Sequence, residues 1–369
     1  MTDSLDVRFM KQALSLGRRG LGRVWPNPSV GCVIVQGRRV VGRARTADGG
    51  RPHAETQALA MAGAAGRGAT AYVTLEPCSH HGKTPPCAEA LIAAGVGRVV
   101  VAAGDPDPRV AGAGLDRLRA AGIEVTEGVL RDAAERDLAG YLLNRRAGRP
   151  FVTLKLASSF DGRIATATGE SRWITGPLAR RTVHAMRARH DAVLVGAGTM
   201  RADDPALTVR GLGPMPQPVR VVASRRLDLP DGRLAATMDQ ALVWLCHGGD
   251  ATRDRRTIWE ERGARLFECG VEHRQIDPAD MLAQLGAAGL TSVFCEGGGA
   301  LAASLLSAGL VDEVLGFTAG VMLGAEGTPG LGAMGLEALA EAPRFDLVES
   351  RAIGPDLMHR WRVQRHSQD

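Results

Sequence analysis

Apolar and polar positions alternate along the first part of the chain in a way that predicts strands interleaved with helices. Helical stretches such as SLDVRFMKQALSLGRRG and HAETQALAMAGAAG alternate with short apolar runs such as SVGCVIVQ, ATAYVTLEP and RVVVAAGDP. A last helix is predicted over RDAAERDLAGYLLNRRAG. Because strands that alternate with helical patterns are typical of a sheet covered by helices, this part predicts an α/β fold.

A second alternating series begins after Pro150. The stretch FVTLKLASSFDGRIA opens it, ARRTVHAMRARH predicts a helix, and DAVLVGAGT, PVRVVAS, QALVWLCHG and TSVFCEGGG predict strands. The helix GALAASLLSAGL and the strand VDEVLGFTAG follow. We therefore predict two α/β domains, over residues 1–148 and 149–369, and a chain of 369 residues is long enough to bury two such cores.

Composition narrows the class of protein. The net charge is +5, but the basic residues are spread along the chain, which favours an arginine-rich surface over a nucleic-acid-binding patch. No stretch of about 18 or more uncharged apolar residues predicts a membrane span. The stretch MTDSLDVRFMKQALSLGRRG has early acids and no apolar run, so it does not predict a signal peptide. These observations predict a cytoplasmic protein without membrane or nucleic-acid partners.

Two of the six cysteines stand apart from the rest. Four lie in apolar runs and predict buried thiols: Cys32, Cys246, Cys269 and Cys295. Cys78 and Cys87 lie among polar residues and prolines in LEPCSHHGKTPPC. With His53 of the upstream stretch PHAET they offer three zinc ligands, which leaves a fourth tetrahedral position open, as in catalytic zinc sites. A closed site with His80 or His81 as the fourth ligand is one alternative, and a site without metal is another.

Glu55 follows the candidate ligand His53 by two residues, a spacing that suits a proton carrier. It could take a proton from a water on the metal and pass it to a leaving amine, as the glutamate does in zinc deaminases. Their signature is H-x-E…P-C-x-x-C. The stretches HAE and PC fit it, whereas the insert SHHGKTPP makes the cysteine spacing longer.

Lysine is rare in this chain, with only Lys11, Lys83 and Lys155 among 45 basic residues. Lys83 and Lys155 lie within motif-like stretches. Because the lysine ammonium is a compact charge with a tunable pKa, these two are candidates for chemistry, with chance retention as the alternative.

The second half contains a candidate dinucleotide site. VFCEGGGALAASLL predicts a strand, a glycine turn and a helix whose N-terminus binds phosphate, with Gly298 to Ser304 as the cradle. VVASRRLDLP ends a strand in Ser224, Arg225 and Arg226, which suit a 2′-phosphate and favour NADPH over NADH. A solvated strand end is the alternative for the two arginines.

Several motifs in one order resemble a known family. PNPSVGCVIV, PHAET, VTLEPCSHHGKTPPC and ALIAAGV resemble the deaminase half of the bifunctional riboflavin-biosynthesis deaminase/reductases, whose motif has this long cysteine spacing. TLKLASSFDGRIA, GESRWITG, DDPALTVR and CEGGGALAASLL resemble the reductase half. The resemblance covers nearly the whole chain. It implies a cytidine-deaminase-like α/β/α domain followed by a dihydrofolate-reductase-like α/β domain.

The resemblance also implies the chemistry. A Zn²⁺-dependent hydrolytic deamination would convert 2,5-diamino-6-(5-phosphoribosylamino)pyrimidin-4-one to 5-amino-6-(5-phosphoribosylamino)uracil. NADPH would then reduce the ribosyl group to ribityl, with hydride delivered to C1′. Lys155 and Asp203 are candidates for the acid of that step, and the protein is expected to form a homo-oligomer.

The family's functional residues map onto positions of this chain. In the deaminase half, substrate contacts are implied for Asn27, His80, Lys83, Thr84 and Asp105. Asp107 is left out, because the family typically has asparagine there. In the reductase half, the cofactor would be lined by Ala157, Trp173, Thr199, Asp203, Ser224 and the cradle Gly298, Gly299, Ala300, Leu301, Ala302, Ala303 and Ser304. The substrate would be lined by Ser171, Arg187, Leu207, Arg210 and Glu296.

Two other functions remain as alternatives. A nucleic-acid-editing deaminase with an RNA-binding domain would fit the positive charge, but the chain is only 4% aromatic and has no basic run with interleaved aromatic residues. A non-catalytic zinc module that binds partner proteins would need a closed metal site.

Overall fold

The computed structural model describes residues 4–80 and 85–364. The chain divides into two compact units, Met1–Arg149 and Pro150–Asp369. Each unit has its own main sheet.

The first unit contains five strands and six α-helices within its described residues. The strands are β1 (Gly31–Gln36), β2 (Arg39–Arg45), β3 (Thr70–Leu75), β4 (Arg98–Ala103) and β5 (Glu124–Glu127). The helices are α1 (Ser4–Gly17), α2 (Ala54–Ala62), α3 (Cys87–Ala93), α4 (Ala113–Ala120), α5 (Arg131–Asp137) and α6 (Ala139–Ala147). The sheet order is β2-β1-β3-β4-β5. Strand β1 is antiparallel to both its neighbours, and β3, β4 and β5 run parallel.

Two glycines show that helices pack closely on both faces of this sheet. A Cβ at Gly31 would lie 1.9 Å from the Ala13 carbonyl oxygen of α1, and a Cβ at Gly42 would lie 2.1 Å from the Ala58 carbonyl oxygen of α2. Gly42 pairs with Ile34, three positions beyond Gly31, so the two glycines face opposite sides. The result is a three-layer α/β/α unit.

The second unit contains thirteen strands and six α-helices within its described residues. The strands are β6 (Phe151–Ser159), β7 (Arg163–Ala165), β8 (Ala192–Gly196), β9 (Val219–Ala223), β10 (Val243–His247), β11 (Arg265–Glu268), β12 (Val271–Glu272), β13 (Gln275–Ile276), β14 (Ser292–Cys295), β15 (Glu313–Ala319), β16 (Thr328–Pro329), β17 (Phe345–Ile353) and β18 (Asp356–Val363). The helices are α7 (Pro177–Arg187), α8 (Ala197–Asp203), α9 (Arg233–Ala236), α10 (Arg253–Glu261), α11 (Pro278–Ala287) and α12 (Gly299–Ser307).

Nine of these strands form one sheet, in the order β11-β10-β9-β8-β14-β6-β15-β18-β17. Strands β11 to β15 in this order run parallel, and β18 and β17 are antiparallel. Helix α7 lies on the face formed by β14, β6, β15 and β18, where Ala179 and Val183 pack with Phe294, Leu315 and Phe317. The parallel strands therefore end along one edge, which is where α/β folds usually place their sites.

The structure differs from the sequence-based expectation in a few elements. The predicted last helix of the first unit is two helices, α5 and α6, because the chain turns at Leu138 and directs that side chain into the core. Helices α8, α9, α10 and α11, the short strands β11, β12, β13 and β16, and the hairpin β17–β18 were not predicted. Strand β17 is largely exposed on both faces, so it lacks the apolar pattern that would reveal it. None of the helices in the described part of the chain has the length and apolar character needed to cross a bilayer.

Candidate active sites

Three element ends of the first unit bring a histidine and two cysteines together. His53 precedes α2, Cys78 follows β3, and Cys87 opens α3. The His53 Nδ1 atom lies 3.3 Å from the Cys87 Sγ and 3.7 Å from the Cys78 Sγ. All three ligand atoms lie within 4.8 Å of one another. Tetrahedral zinc with bonds of about 2.0–2.3 Å needs ligand separations of roughly 3.3–3.8 Å, so this donor set fits the metal.

The charges of the two thiols also fit a bound cation. Hydrogen bonds from Cys87 and His53 lower the pKa of Cys78 to about 4. The pKa of Cys87 is raised, first by its hydrogen bond to Cys78 and then by burial. Ionisation of one thiol therefore suppresses ionisation of the other unless positive charge lies between them. A bound dication supplies that charge.

Glu55 lies in the first turn of α2 and is buried. Burial raises the pKa of Glu55 to about 7, although His53 opposes this shift. A carboxyl group with such a pKa can accept and release a proton near neutral pH. Its side chain also approaches Cys87, so it faces the region between the metal ligands.

Two of the predicted base and phosphoribosyl contacts adjoin the segments that carry the metal ligands. Asn27 precedes β1 and is seated against Gly50, where an added Cβ would lie 2.0 Å from the Asn27 Nδ2. His80 follows Cys78 by two residues, and its Nδ1 is buried with no hydrogen-bond partner among the described residues. His80 is not part of the metal cluster, which argues against it as a fourth ligand. The predicted contacts Lys83 and Thr84, and the alternative ligand His81, lie outside the described residues.

Asp105 follows β4, next to the strand that leads to Cys78. Its carboxylate accepts a hydrogen bond from the Tyr141 hydroxyl at 3.1 Å and from the Asp107 amide at 2.9 Å. Burial raises the pKa of Asp105. Hydrogen bonds from Arg109 lower the pKa of Asp107 to about 2. The pKa values of the two neighbouring acids therefore shift in opposite directions, and the Asp107 carboxylate is hydrogen-bonded to Arg109.

Glu76 is a buried residue of this loop region to which the sequence analysis gave no role, although it stands in the quoted motif. Its carboxylate accepts hydrogen bonds from the amides of Gly112 and Gly114, each at 3.1 Å. Ser79 donates to the Arg109 carbonyl at 3.1 Å. These contacts tie the loop carrying Asp105 to the segment carrying Cys78.

In the second unit, four charged residues predicted for the reductase site come within electrostatic reach of one another. Lys155 lies on β6, Arg187 ends α7, Asp203 ends α8, and Glu296 follows β14. Arg187 binds Glu296 through two parallel hydrogen bonds, with its Nη2 3.0 Å from the carboxylate. Its Nη1 donates to the Thr208 carbonyl at 2.9 Å.

Lys155 is influenced by this ion pair. Burial lowers the pKa of Lys155, Glu296 raises it, and Arg187 lowers it. Burial opposes ionisation of Glu296, but Arg187 and Lys155 lower its pKa. Lys155 is thus an amine with a reduced proton affinity, held at the centre of the sheet beside an anionic carboxylate.

The predicted cofactor residues lie at the carboxyl edge of the same sheet. Helix α12 begins at Gly299 and has no side-chain cap at Gly298, so the predicted cradle spans the N-cap and the first turns of this helix. An added Cβ at Gly298 would lie 3.0 Å from the Thr199 Oγ1, so the cradle and α8 are adjacent. Ala157 lies on β6, and Ser224 is buried directly after β9. An uncapped helix N-terminus next to a glycine turn fits a pyrophosphate.

The two arginines expected at a 2′-phosphate share one carboxylate. Arg225 lies 2.6 Å and Arg226 3.2 Å from the same oxygen of Asp250. Arg226 is 57% exposed. A phosphate would therefore compete with Asp250 for these guanidinium groups.

The remaining predicted residues lie on two loops. Ser171 and Trp173 precede α7, where the Arg180 guanidinium stacks 4.4 Å from the centroid of the exposed Trp173 ring. Leu207 and Arg210 follow α8, and the side chain of Arg210 is exposed. The structure thus brings together the four charged residues that include Lys155 and places the cradle shortly after Glu296. Trp173 and Arg210, in contrast, lie at exposed positions.

A deaminase-type metal centre in one α/β unit and a dinucleotide-type cradle in another define the class: a zinc-dependent deaminase joined to a reductase. A model of the "Cytidine and deoxycytidylate deaminase zinc-binding region" matches residues 3–103, and the "RibD C-terminal domain" matches residues 150–359. The chain is 44% identical over 366 residues to the riboflavin biosynthesis protein RibD of Escherichia coli, covering 95% of this chain and 98% of that protein.

Solved structures agree. A RibD structure from Acinetobacter baumannii aligns with a TM-score of 0.89 at 38% identity, covering 98% of this chain and 99% of that chain. A Thermotoga maritima protein described as a diaminohydroxyphosphoribosylaminopyrimidine deaminase/5-amino-6-(5-phosphoribosylamino)uracil reductase aligns with a TM-score of 0.86 at 35% identity, covering 98% and 99%.

The chain belongs to the RibD family of riboflavin biosynthesis. It is a deaminase and reductase, with zinc and NADPH as its cofactors. The predicted function, fold class and cofactors are confirmed. The editing deaminase and the non-catalytic zinc module are not supported.

Proposed function

We propose that the chain deaminates 2,5-diamino-6-(5-phosphoribosylamino)pyrimidin-4-one and then reduces the ribosyl group of the resulting 5-amino-6-(5-phosphoribosylamino)uracil. The single observation that carries this proposal is the three-ligand cluster of His53, Cys78 and Cys87 with the buried Glu55 beside it. The Thermotoga maritima protein, which is described by these two activities, supports the choice of substrates.

In the deaminase half, we assign the metal to His53, Cys78 and Cys87. Zinc bound there would supply an activated water for attack on the ring carbon that bears the 2-amino group. Glu55 accepts the proton of that water and delivers it to the departing amine, which leaves as ammonia. Its raised pKa supports this two-way transfer.

The remaining deaminase residues bind and orient the substrate. Asn27 is assigned to the base, and His80, Lys83 and Thr84 to the phosphoribosyl part. The buried Nδ1 of His80 has no hydrogen-bond partner within residues 4–80 and 85–364, which supports a ligand contact at that atom. Asp105, held by Tyr141, is assigned to the ribose hydroxyl groups.

In the reductase half, NADPH supplies the hydride that reduces C1′ of the substrate. We assign its pyrophosphate to Gly298–Ser304, its 2′-phosphate to Ser224, and the nicotinamide side to Ala157, Trp173, Thr199 and Asp203. Lys155 is assigned the acid that donates a proton as the ribose ring opens. Its reduced proton affinity supports that donation.

The substrate of the reductase half is assigned to Ser171, Arg187, Leu207, Arg210 and Glu296. Arg187 is largely occupied by Glu296, so it contributes by fixing that carboxylate as well as by its remaining donors. Arg210 has an exposed guanidinium with no ion pair in the described part of the chain, which suits the substrate phosphate.

Three broader expectations stay proposals. We propose that the protein is a homo-oligomer, and the exposed apolar side chains of Leu347, Val348 and Leu357 on the last two strands support it. We propose that it acts in the cytoplasm. We also propose that it binds no nucleic acid, which its low aromatic content supports. Light scattering and a filter-binding assay with RNA test the first and third.

The test of the function uses the full chain, the diaminopyrimidine ribotide and NADPH. Ammonia release and NADPH oxidation are followed together, with and without a zinc chelator. We expect both signals. We expect the chelator to stop ammonia release, and with it NADPH oxidation unless the deaminated intermediate is supplied. Ammonia without NADPH oxidation would contradict the reductase assignment. Neither signal in zinc-loaded protein would contradict the substrate itself.

A further inference from the structure

The loop of residues 204–210, here called the substrate loop, carries two residues assigned above to the reductase substrate, Leu207 and Arg210. Leu207 is buried and has a left-handed backbone, with φ 57°. A non-glycine residue in that region is strained, so it persists only where its surroundings hold it. The contacts that hold this loop therefore bear on substrate binding.

Side chains from outside the loop bind its backbone at four places. The Arg220 Nη1 donates to the Ala206 carbonyl at 3.3 Å, and Arg187 donates to the Thr208 carbonyl at 2.9 Å. The Gln217 side-chain oxygen accepts from the Val209 amide at 2.7 Å. These three contacts fix the centre of the loop but not its end.

The fourth contact fixes Arg210 itself. The Arg210 amide donates to the Nδ1 of His184 at 3.2 Å. His184 lies on α7, three residues before Arg187, and is partly buried. An imidazole that accepts at Nδ1 carries its proton on Nε2 and is neutral. His184 has no role in the function proposed above.

We propose that His184 is a positioning residue of the reductase half: its neutral imidazole holds the Arg210 backbone so that the guanidinium meets the substrate phosphate. This inference rests on the proposed function, because Arg210 is assigned to that phosphate there. Protonated His184 would present an N–H to the Arg210 N–H, so the contact would be lost. Substrate binding should then weaken in acid.

The groups that face His184 keep it neutral at physiological pH. Burial lowers the pKa of His184 from its ordinary value of 6.5, and the charges of Arg187 and Arg210 lower it further. Glu296 and the Thr208 carbonyl act in the opposite direction but do not reverse the shift. His184 is therefore expected to become protonated only below pH 6.5.

The experiment compares the full-length wild type with His184→Gln and His184→Ala. The glutamine oxygen can accept the Arg210 amide but does not titrate, whereas alanine removes the acceptor. KM and kcat for reduction of 5-amino-6-(5-phosphoribosylamino)uracil are measured with NADPH from pH 5.5 to 8. The substrate phosphate itself titrates near pH ~6, and this effect cancels in the ratio of variant to wild type. Hydrogen exchange of the Arg210 amide, measured without substrate, reports the contact directly.

We expect His184→Ala to raise KM roughly three- to tenfold at pH 8, with a smaller change in kcat and faster exchange of the Arg210 amide. We expect His184→Gln to keep the wild-type KM at pH 8 and to lose the additional acid-side rise seen in wild type. An unchanged KM in His184→Ala, or an undiminished acid-side rise in His184→Gln, would overturn the inference. A wild-type chain that does not reduce the substrate would instead overturn the proposed function on which the inference rests.

Discussion

The two sites differ in how much of the chain builds them. The metal centre comes from residues 53–87, with its donors at the ends of three consecutive elements, α2, β3 and α3. The reductase residues run from Lys155 to Ser304 and lie on β6, α7, α8 and α12, on loops, and directly after β9 and β14. One site is local and the other is assembled across a nine-stranded sheet.

The two sites should therefore respond differently to the substitution of single residues. The metal site depends on three ligands and one proton carrier, so the loss of one of these groups should abolish deamination. The assembled site spreads its function over an ion pair, a helix N-terminus and several loop contacts, so single changes there should have graded effects.

The largest effect is expected at Glu55. Glu55→Gln keeps the size of the side chain but cannot carry the proton, so ammonia release should fall about 10²- to 10⁴-fold. Zinc content should stay at the wild-type value, since Glu55 is not part of the ligand cluster. Reduction of supplied intermediate serves as the internal control and should be unchanged. Comparable deamination by the variant would show that another group carries the proton.

A smaller loss of activity is expected at Lys155, the proposed proton donor of the reductase site. Lys155→Met removes the proposed acid, and kcat for reduction should fall about 10²-fold, with NADPH affinity retained. Lys11→Met is the matched control, because Lys11 is an exposed lysine of α1. If Lys155→Met reduced the substrate as well as Lys11→Met does, Lys155 would be structural, and Asp203 would be the remaining candidate.

The same contrast explains what the sequence could predict. His53, Cys78 and Cys87 were predicted from the two local motifs PHAET and LEPCSHHGKTPPC, because a metal demands fixed donor types. Glu55 was predicted from its position two residues after His53. The cradle at Gly298 was likewise a local pattern of strand, glycine turn and helix. Both features depend on neighbours in sequence, and the structure places each at an element end as expected.

Long-range pairing was not predictable in the same way. Nothing in the sequence shows that Arg187 binds Glu296, that Asp250 lies between Arg225 and Arg226, or that His184 contacts the Arg210 amide. These contacts depend on which strands become neighbours in the sheet. Tyr141 and Glu76 were missed for the same reason, since their partners lie far away along the chain.

The ion pair at the centre of the assembled site offers a test of stability. Arg187 and Glu296 have side chains only 11% and 10% exposed, so Arg187→Met leaves a carboxylate without its partner. We expect a loss of about 3 kcal/mol, seen by calorimetry as a lower melting transition of the second unit. Arg351→Met, which removes an exposed pair with Glu349, should change it by less than about 1 kcal/mol. Equal shifts in the two variants would show that the buried pair is not stabilising.

The smallest effect on activity is expected in the deaminase half at Tyr141, which contacts the proposed substrate residue Asp105 rather than the substrate itself. Tyr141→Phe removes the hydroxyl that donates to Asp105, so the pKa of Asp105, already raised by burial, should rise further. A smaller fraction of Asp105 is then ionised at a given pH. KM for deamination should increase about threefold, and more steeply as the pH falls, because the carboxylate is the form that accepts a ribose hydroxyl.

The other tyrosine of the chain provides the control. Tyr72→Phe also removes a buried hydroxyl that donates to a carboxylate, that of Asp6 at 2.8 Å. Asp6 lies in α1 and has no assigned contact with substrate, so this variant should lose stability without a change in KM or its pH dependence. If both variants altered KM alike, the effect would come from general loosening of the unit, and Asp105 would have no specific part in binding the ribose.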